Sequence, residues 1–172
     1  MAERTLYIVD GYNVLHVLFP TIEAGELTAR REWLVERLTS FAALKGARVL
    51  VVFDVRGRRG VSSETVKGTG VEVSFAGGHL GADALIARRI AEQPADVTVF
   101  VVSADQEVQR TAARAGVHRL TPRELAAELS KSSEALANRQ KPGTLRTQLE
   151  DKVDGETLLR LQRLRTEEDQ AD

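Results

Sequence analysis

The chain predicts an α/β fold, a mainly parallel sheet covered by helices on both faces, on three observations. Short runs of branched apolar residues recur along it and alternate with stretches of helical periodicity. The runs are nearly continuous in valine, leucine and isoleucine, as strands buried on both faces require. Helix punctuation falls between them: Gly46 and Gly116 close helical stretches, and Thr121-Pro122-Arg123-Glu124 opens one.

Strands are expected near 5–10, 47–54, 70–75, 96–103 and 117–120. Over 28–45, Trp33, Leu34, Leu38, Phe41 and Leu44 share one helical stripe, while Arg30, Arg31, Glu36 and Arg37 fall mostly elsewhere. A helix over about 81–93 turns Leu85, Ile86 and Ile90 inward, and a third covers about 105–115. The next begins with a capping threonine, proline at the first helical position, and glutamate three residues after the cap. Strand–helix alternation implies right-handed crossovers.

Character changes near residue 130, giving a domain over 1–130 and an extension over 131–172. The extension starts as a polar linker with a break at Lys141-Pro142-Gly143, and Leu158, Leu159, Leu161 and Leu164 then mark a short amphipathic helix. It carries too little apolar surface to fold alone.

Composition narrows the classes. At 172 residues, 42% hydrophobic and 28% charged, the chain is long enough to bury a core. A formal charge of -1 means that an anionic partner must be held by a local patch. Cysteine is absent, which excludes thiolate catalysis and cysteine-based zinc sites. Neither a signal-peptide core nor an apolar run of membrane-spanning length is visible, so a cytoplasmic protein without membrane contact is expected.

Three of the apolar runs deliver an acid: Leu6-Tyr7-Ile8-Val9-Asp10, Val49-Leu50-Val51-Val52-Phe53-Asp54, and Val97 to Val102 followed by Ser103-Ala104-Asp105. Ligands of open α/β sheets bind in the crevice outside the carboxyl ends of the strands. A fourth acid, Asp83, follows the glycine-rich Gly77-Gly78-His79-Leu80-Gly81 at a helix start. Each acid has a bland reading as well. Asp83, Ser103 and Asp105 suit helix starts, and Asp54 precedes a loop. Asp10 resists that reading most, because Gly11 is expected to supply the turn. If the three strands are neighbours, their carboxylates converge and repel one another unless a cation is shared. An oxygen-rich, sulfur-free set suits Mg²⁺ or Mn²⁺, which can promote attack of water on a phosphodiester.

Other phosphate chemistries lack their motifs. There is no Gly-x-x-x-x-Gly-Lys-Ser/Thr loop, no Gly-x-Gly-x-x-Gly after a strand, and no Gly-x-Ser-x-Gly elbow. An aspartyl phosphotransferase would want an acid two positions after Asp10, where Tyr12 stands. Arg56, Arg58 and Arg59, interleaved with Gly57 and Gly60 and followed by Lys67, form a cationic loop suited to phosphates, which Arg30 and Arg31 extend. His79 is positioned to orient a water or a phosphate, or is simply a surface residue. His16 reads as structural, and His118 has no assigned role. Tyr12 either stacks on a base or packs under a helix. Asn13 needs partners for its amide at the crevice.

Asp-Gly-Tyr-Asn at 10–13, Phe-Asp at 53–54, Gly-Ala-Asp at 81–83 and Ser-Ala-Asp at 103–105 resemble the NYN domain, a branch of the PIN-like ribonucleases. The order and spacing are most similar to the YacP-like group, over about residues 4–130. The resemblance implies a PIN-like three-layer α/β/α sandwich and a metal-dependent endoribonuclease. Asp10, Asp83 and Asp105 would be ligands of Mg²⁺ or Mn²⁺, Asp54 would support them, and Asn13 and Ser103 would stand beside them. It also implies an RNA substrate, single-stranded and of messenger type, and ribosome association, as in some YacP-like members. Where many of these chains carry threonine before the third acid, this one has Ala82. Water would attack phosphorus and leave a 5′-phosphate and a 3′-hydroxyl. The competing expectations are a module of the same fold that binds RNA or the ribosome without cutting, and a phosphatase of small esters.

Overall fold

The computed structural model describes residues 4–55, 57, 60–78, 81–111 and 116–139. The chain divides into two units, Met1–Ser133 and Glu134–Asp172, and the described part of the second is the end of one helix.

The order of elements is β1 (Thr5–Asp10), α1 (Gly11–Leu18), a 3-10 turn (Ala24–Glu26), α2 (Leu27–Lys45), β2 (Arg48–Asp54), β3 (Gly60–Thr65), β4 (Val71–Gly77), α3 (Ala82–Ala91), β5 (Thr98–Val102), α4 (Gln106–Thr111), β6 (Val117–Leu120) and α5 (Pro122–Arg139). One six-stranded sheet runs β3-β4-β2-β1-β5-β6. Every pairing is parallel except β3 with β4. The expected fold class therefore holds.

Strand alternation sorts the core into two layers of contact. Val9, Val49, Val51 and Phe53 point to one face and pack against Val14 and Leu15 of α1, Leu34, Leu38 and Phe41 of α2, and Leu125 and Leu129 of α5. Ile8, Leu50, Val52, Val99 and Val101 point to the other, against Leu85, Ile86 and Ile90 of α3 and Val108 of α4. Trp33, expected on the buried stripe of α2, is only half-buried and stacks edge-on to Phe19, with centroids 5.2 Å apart.

The signals at helix ends act as anticipated. Gly46 takes the left-handed conformation (φ 59°) that closes α2. Thr121 and Glu124 form a reciprocal box: the Thr121 amide donates to Glu124 Oε2 at 2.7 Å, and the Glu124 amide donates to Thr121 Oγ1 at 3.2 Å. From that start α5 continues to Arg139, so the polar stretch after residue 130 begins as helix.

Two elements escape the sequence pattern. Helix α1 starts directly at the acid of β1, where the chain was expected to turn on Gly11. Strand β3 is the antiparallel edge, and its residues are almost all exposed. The β3–β4 register runs from Gly60 opposite Gly77 to Thr65 opposite Glu72. Lys67 follows β3 and so lies at the amino-terminal end of the parallel strands. That corrects its expected place on the cationic loop beside the acids: the unforeseen strand carries the chain across the sheet before Lys67 is reached.

Candidate active site

The strands that end in acids are neighbours. β1 is central, with β2 on one side (Asp10 opposite Val52) and β5 on the other (Val9 opposite Val102), all parallel. Their carboxyl ends therefore share one edge. From β1 the chain moves out to β2 and β4, then returns to the opposite side of β1 with β5. The crevice between β1 and β5 is thus a topological switch point, where open α/β sheets bind ligands.

Asp10 is buried at the mouth of this crevice, with 6% of its surface exposed. Its backbone is extended, and its side chain caps α1. The Asn13 amide donates to Asp10 Oδ1 at 3.2 Å, and Asn13 Nδ2 donates to Oδ2 at 2.6 Å. The cap that seemed least applicable to Asp10 is therefore one of its functions. Gly11 makes no left-handed turn and is the first residue of the helix. Its requirement is closeness: a Cβ there would stand 2.6 Å from Cδ1 of the Phe53 ring, which is fully buried.

Asn13 also accepts a hydrogen bond from the Ala104 amide at 3.2 Å. Its side chain thereby ties the end of β1 to the turn after β5, and both ends of the amide are used. In that turn Ser103, fully buried, accepts from the Asp105 amide at 3.0 Å. Asp105 is exposed just ahead of α4.

Asp83 is the second residue of α3. The capping position belongs to Gly81, which makes no side-chain cap bond, so Asp83 is an acid of the first turn rather than the cap. Ala82 is buried and joins the core below it. Asp54 ends β2, and its Oδ2 lies 3.1 Å from where a Cβ on Gly81 would stand. The glycine therefore allows the Asp54 carboxylate to approach the start of the helix that carries Asp83.

The carboxylates feel one another. Asp10 is held above its ordinary carboxyl range of 3.8, first by burial, then by the charges of Asp83 and Asp105; the two hydrogen bonds from Asn13 oppose the rise. Among the described residues no group of three acidic or histidine side chains is gathered tightly enough to hold an ion as placed. The acids are thus coupled across the crevice without forming a closed cage. The donor set nevertheless suits a hard divalent ion: it is all oxygen, and a cation offsets both effects that disfavour the ionised Asp10.

Of the residues expected to hold substrate, Tyr12 is half-buried beside the site, its ring edge-on to Phe53 at 5.4 Å. His16, which reads as structural in the sequence, is exposed on α1. Arg56, Arg58, Arg59 and His79 lie outside the described residues. Arg30 is engaged in packing, with its guanidinium 4.1 Å from the Phe19 ring centroid and 3.7 Å from Glu26 Oε1. His118 stacks on Phe100 at 5.1 Å. No helix among the described residues is long and apolar enough to cross a membrane.

With the fold and the acids in place, the chain belongs to the YacP-like NYN domain family, a family of nucleases, whose model matches residues 7–166. The match extends beyond the 4–130 covered by the sequence motifs. Among solved structures, the chain is similar to Rae1 (YacP) from Bacillus subtilis at 25% identity and a TM-score of 0.64, covering 95% of this chain and 92% of that one. A tryptophan-to-leucine mutant of the same protein aligns at 24% identity and a TM-score of 0.69, covering 86% and 89%. No curated protein matches the chain.

Proposed function

We propose that this protein is a divalent-metal-dependent endoribonuclease acting on single-stranded RNA. The observation that carries the proposal is the buried Asp10 at the switch point of a YacP-like NYN domain, tied through Asn13 to the turn that holds Asp105. Asp10, Asp83 and Asp105 would hold Mg²⁺ or Mn²⁺, with Asp54, whose carboxylate approaches Gly81, supporting them. When bound, such an ion supplies a more acidic water and screens the charge of a phosphodiester.

The protein's own groups set the frame for that chemistry. Asn13 fixes the Asp10 carboxylate with one end of its amide and the β5–α4 turn with the other. Ser103 holds the backbone of Asp105. Burial of Asp10 keeps bulk water from screening its charge. Water would enter in line with the leaving 3′ oxygen, so the products would carry a 5′-phosphate and a 3′-hydroxyl. Family resemblance supports the finer proposal that the RNA is messenger RNA on the ribosome, in the cytoplasm.

The test is cleavage of a labelled single-stranded RNA in Mn²⁺ by the wild-type protein and Asp10→Asn. Loss of about 10²-fold or more in rate with a retained melting transition is expected. An unchanged rate would remove the acids from the mechanism. RNA bound but never cut by the wild-type protein would leave a binding module. Co-sedimentation with ribosomes tests the finer proposal.

A further inference from the structure

A second concavity opens beside the acid crevice. It encloses about 690 Å³, within the range of small-ligand sites. Tyr12 and His16 of α1, Arg31 of α2 and Asp54 of β2 contribute to its walls. Asp54 belongs to both spaces, since its carboxylate also approaches Gly81 at the start of α3.

We propose that this cleft receives one unpaired nucleobase of the RNA, from the nucleotide next to the scissile phosphate. The inference rests on the nuclease reading and adds a recognition subsite to it. The lining chemistry selects a base over the sugar-phosphate backbone. Glu23 and Asp54 put two carboxylates on the walls against the guanidinium of Arg31, so the positive charge there is offset and the lining makes a poor cradle for a phosphate. Ile22, Leu27 and Val55 supply apolar contact, and the Tyr12 ring supplies a surface for stacking.

The two principal contacts are held in advance. Tyr12 rests edge-on against Phe53, whose ring is fully buried. Arg31 Nη2 donates to Thr28 Oγ1 at 3.1 Å, and its guanidinium lies 5.5 Å from the Phe75 ring centroid, which holds Arg31 at the border between this cleft and a neighbouring cavity of about 580 Å³ that Thr28 and Phe75 line with it. Side chains fixed before binding lose little freedom when a ligand arrives. Arg31 can donate to acceptor atoms on a base edge, while Glu23 can accept from an exocyclic amine. A base drawn out of the strand here would anchor the backbone across the Asp54 wall, toward Asp10 and Asp83.

Binding is measured by fluorescence polarisation with the full chain carrying Asp10→Asn, so that cleavage does not intervene. The probes are a labelled single-stranded oligoribonucleotide and a series with one abasic position moved along it. One abasic register should weaken binding by about tenfold. Tyr12→Leu and Arg31→Gln should each weaken binding of the intact strand similarly, yet leave the strand abasic at that register unaffected. The proposal is overturned if no abasic register matters, or if the variants weaken intact and abasic strands equally. Melting curves check folding, and Arg31→Gln decides alone if Tyr12→Leu does not fold. Cleavage lost in Asp10→Asn upholds the nuclease reading whichever way the base comparison falls.

Discussion

Asp10 serves two purposes that pull in opposite directions. As a cap it accepts from the Asn13 amide in the first turn of α1, and as a buried anion facing Asp83 and Asp105 it opposes folding. The sequence pointed to this residue through its place after an apolar run, but it did not reveal the cap. Asparagine keeps the backbone cap and removes the charge, but it offers one acceptor where Asp10 offers two and loses the bond from Asn13 Nδ2, so Asp10→Asn should leave the melting temperature of the metal-free protein at neutral pH close to that of wild type. Asp10→Ala removes the cap and should cost about 1 kcal/mol relative to Asp10→Asn in chemical denaturation. The pH dependence follows from the raised value. The folded protein retains this proton to higher pH than the unfolded chain, whose Asp10 titrates near 3.8. Its contribution to stability should therefore decline as pH rises from that value through the raised one, and Asp10→Asn should flatten the slope. Gly11→Ala drives a methyl into the Phe53 ring and should destabilise by roughly 1–3 kcal/mol. The sequence could not show that contact, because Gly11 and Phe53 meet only once β1 and β2 are paired.

At the scale of elements, strands buried on both faces and helices with strong ends were legible. β2 is a run of valines beside leucine and phenylalanine, and α5 announces itself with proline and a capping box. β3 was not legible for a physical reason. As an edge strand, Gly-Val-Ser-Ser-Glu-Thr has almost no buried face, so neither alternation nor an apolar run marks it. α1 was hidden by its abrupt start and by Gly11, Asn13 and Val14, which are poor helix formers. Missing β3 misplaced Lys67. Lys67→Ala should accordingly leave RNA affinity within about twofold of wild type in a filter-binding titration, since an exposed charge at the opposite end of the strands is largely screened. A tenfold loss would mean that RNA reaches the amino-terminal edge of the sheet.

For the whole molecule, the sequence identified which strands end in acids but left open which strands are adjacent. The order β2-β1-β5 supplies that adjacency, and the switch at β1 makes Asp10, Asp83 and Asp105 one electrostatic group. The remaining claim, that the group exists to hold a divalent ion, is tested most directly by calorimetric titration of the full chain with Mn²⁺. Wild type should bind at a saturable site, and Asp10→Asn and Asp83→Asn should each weaken that binding by about tenfold or more while keeping a cooperative melt. Equal Mn²⁺ affinity in wild type and both variants would contradict the account.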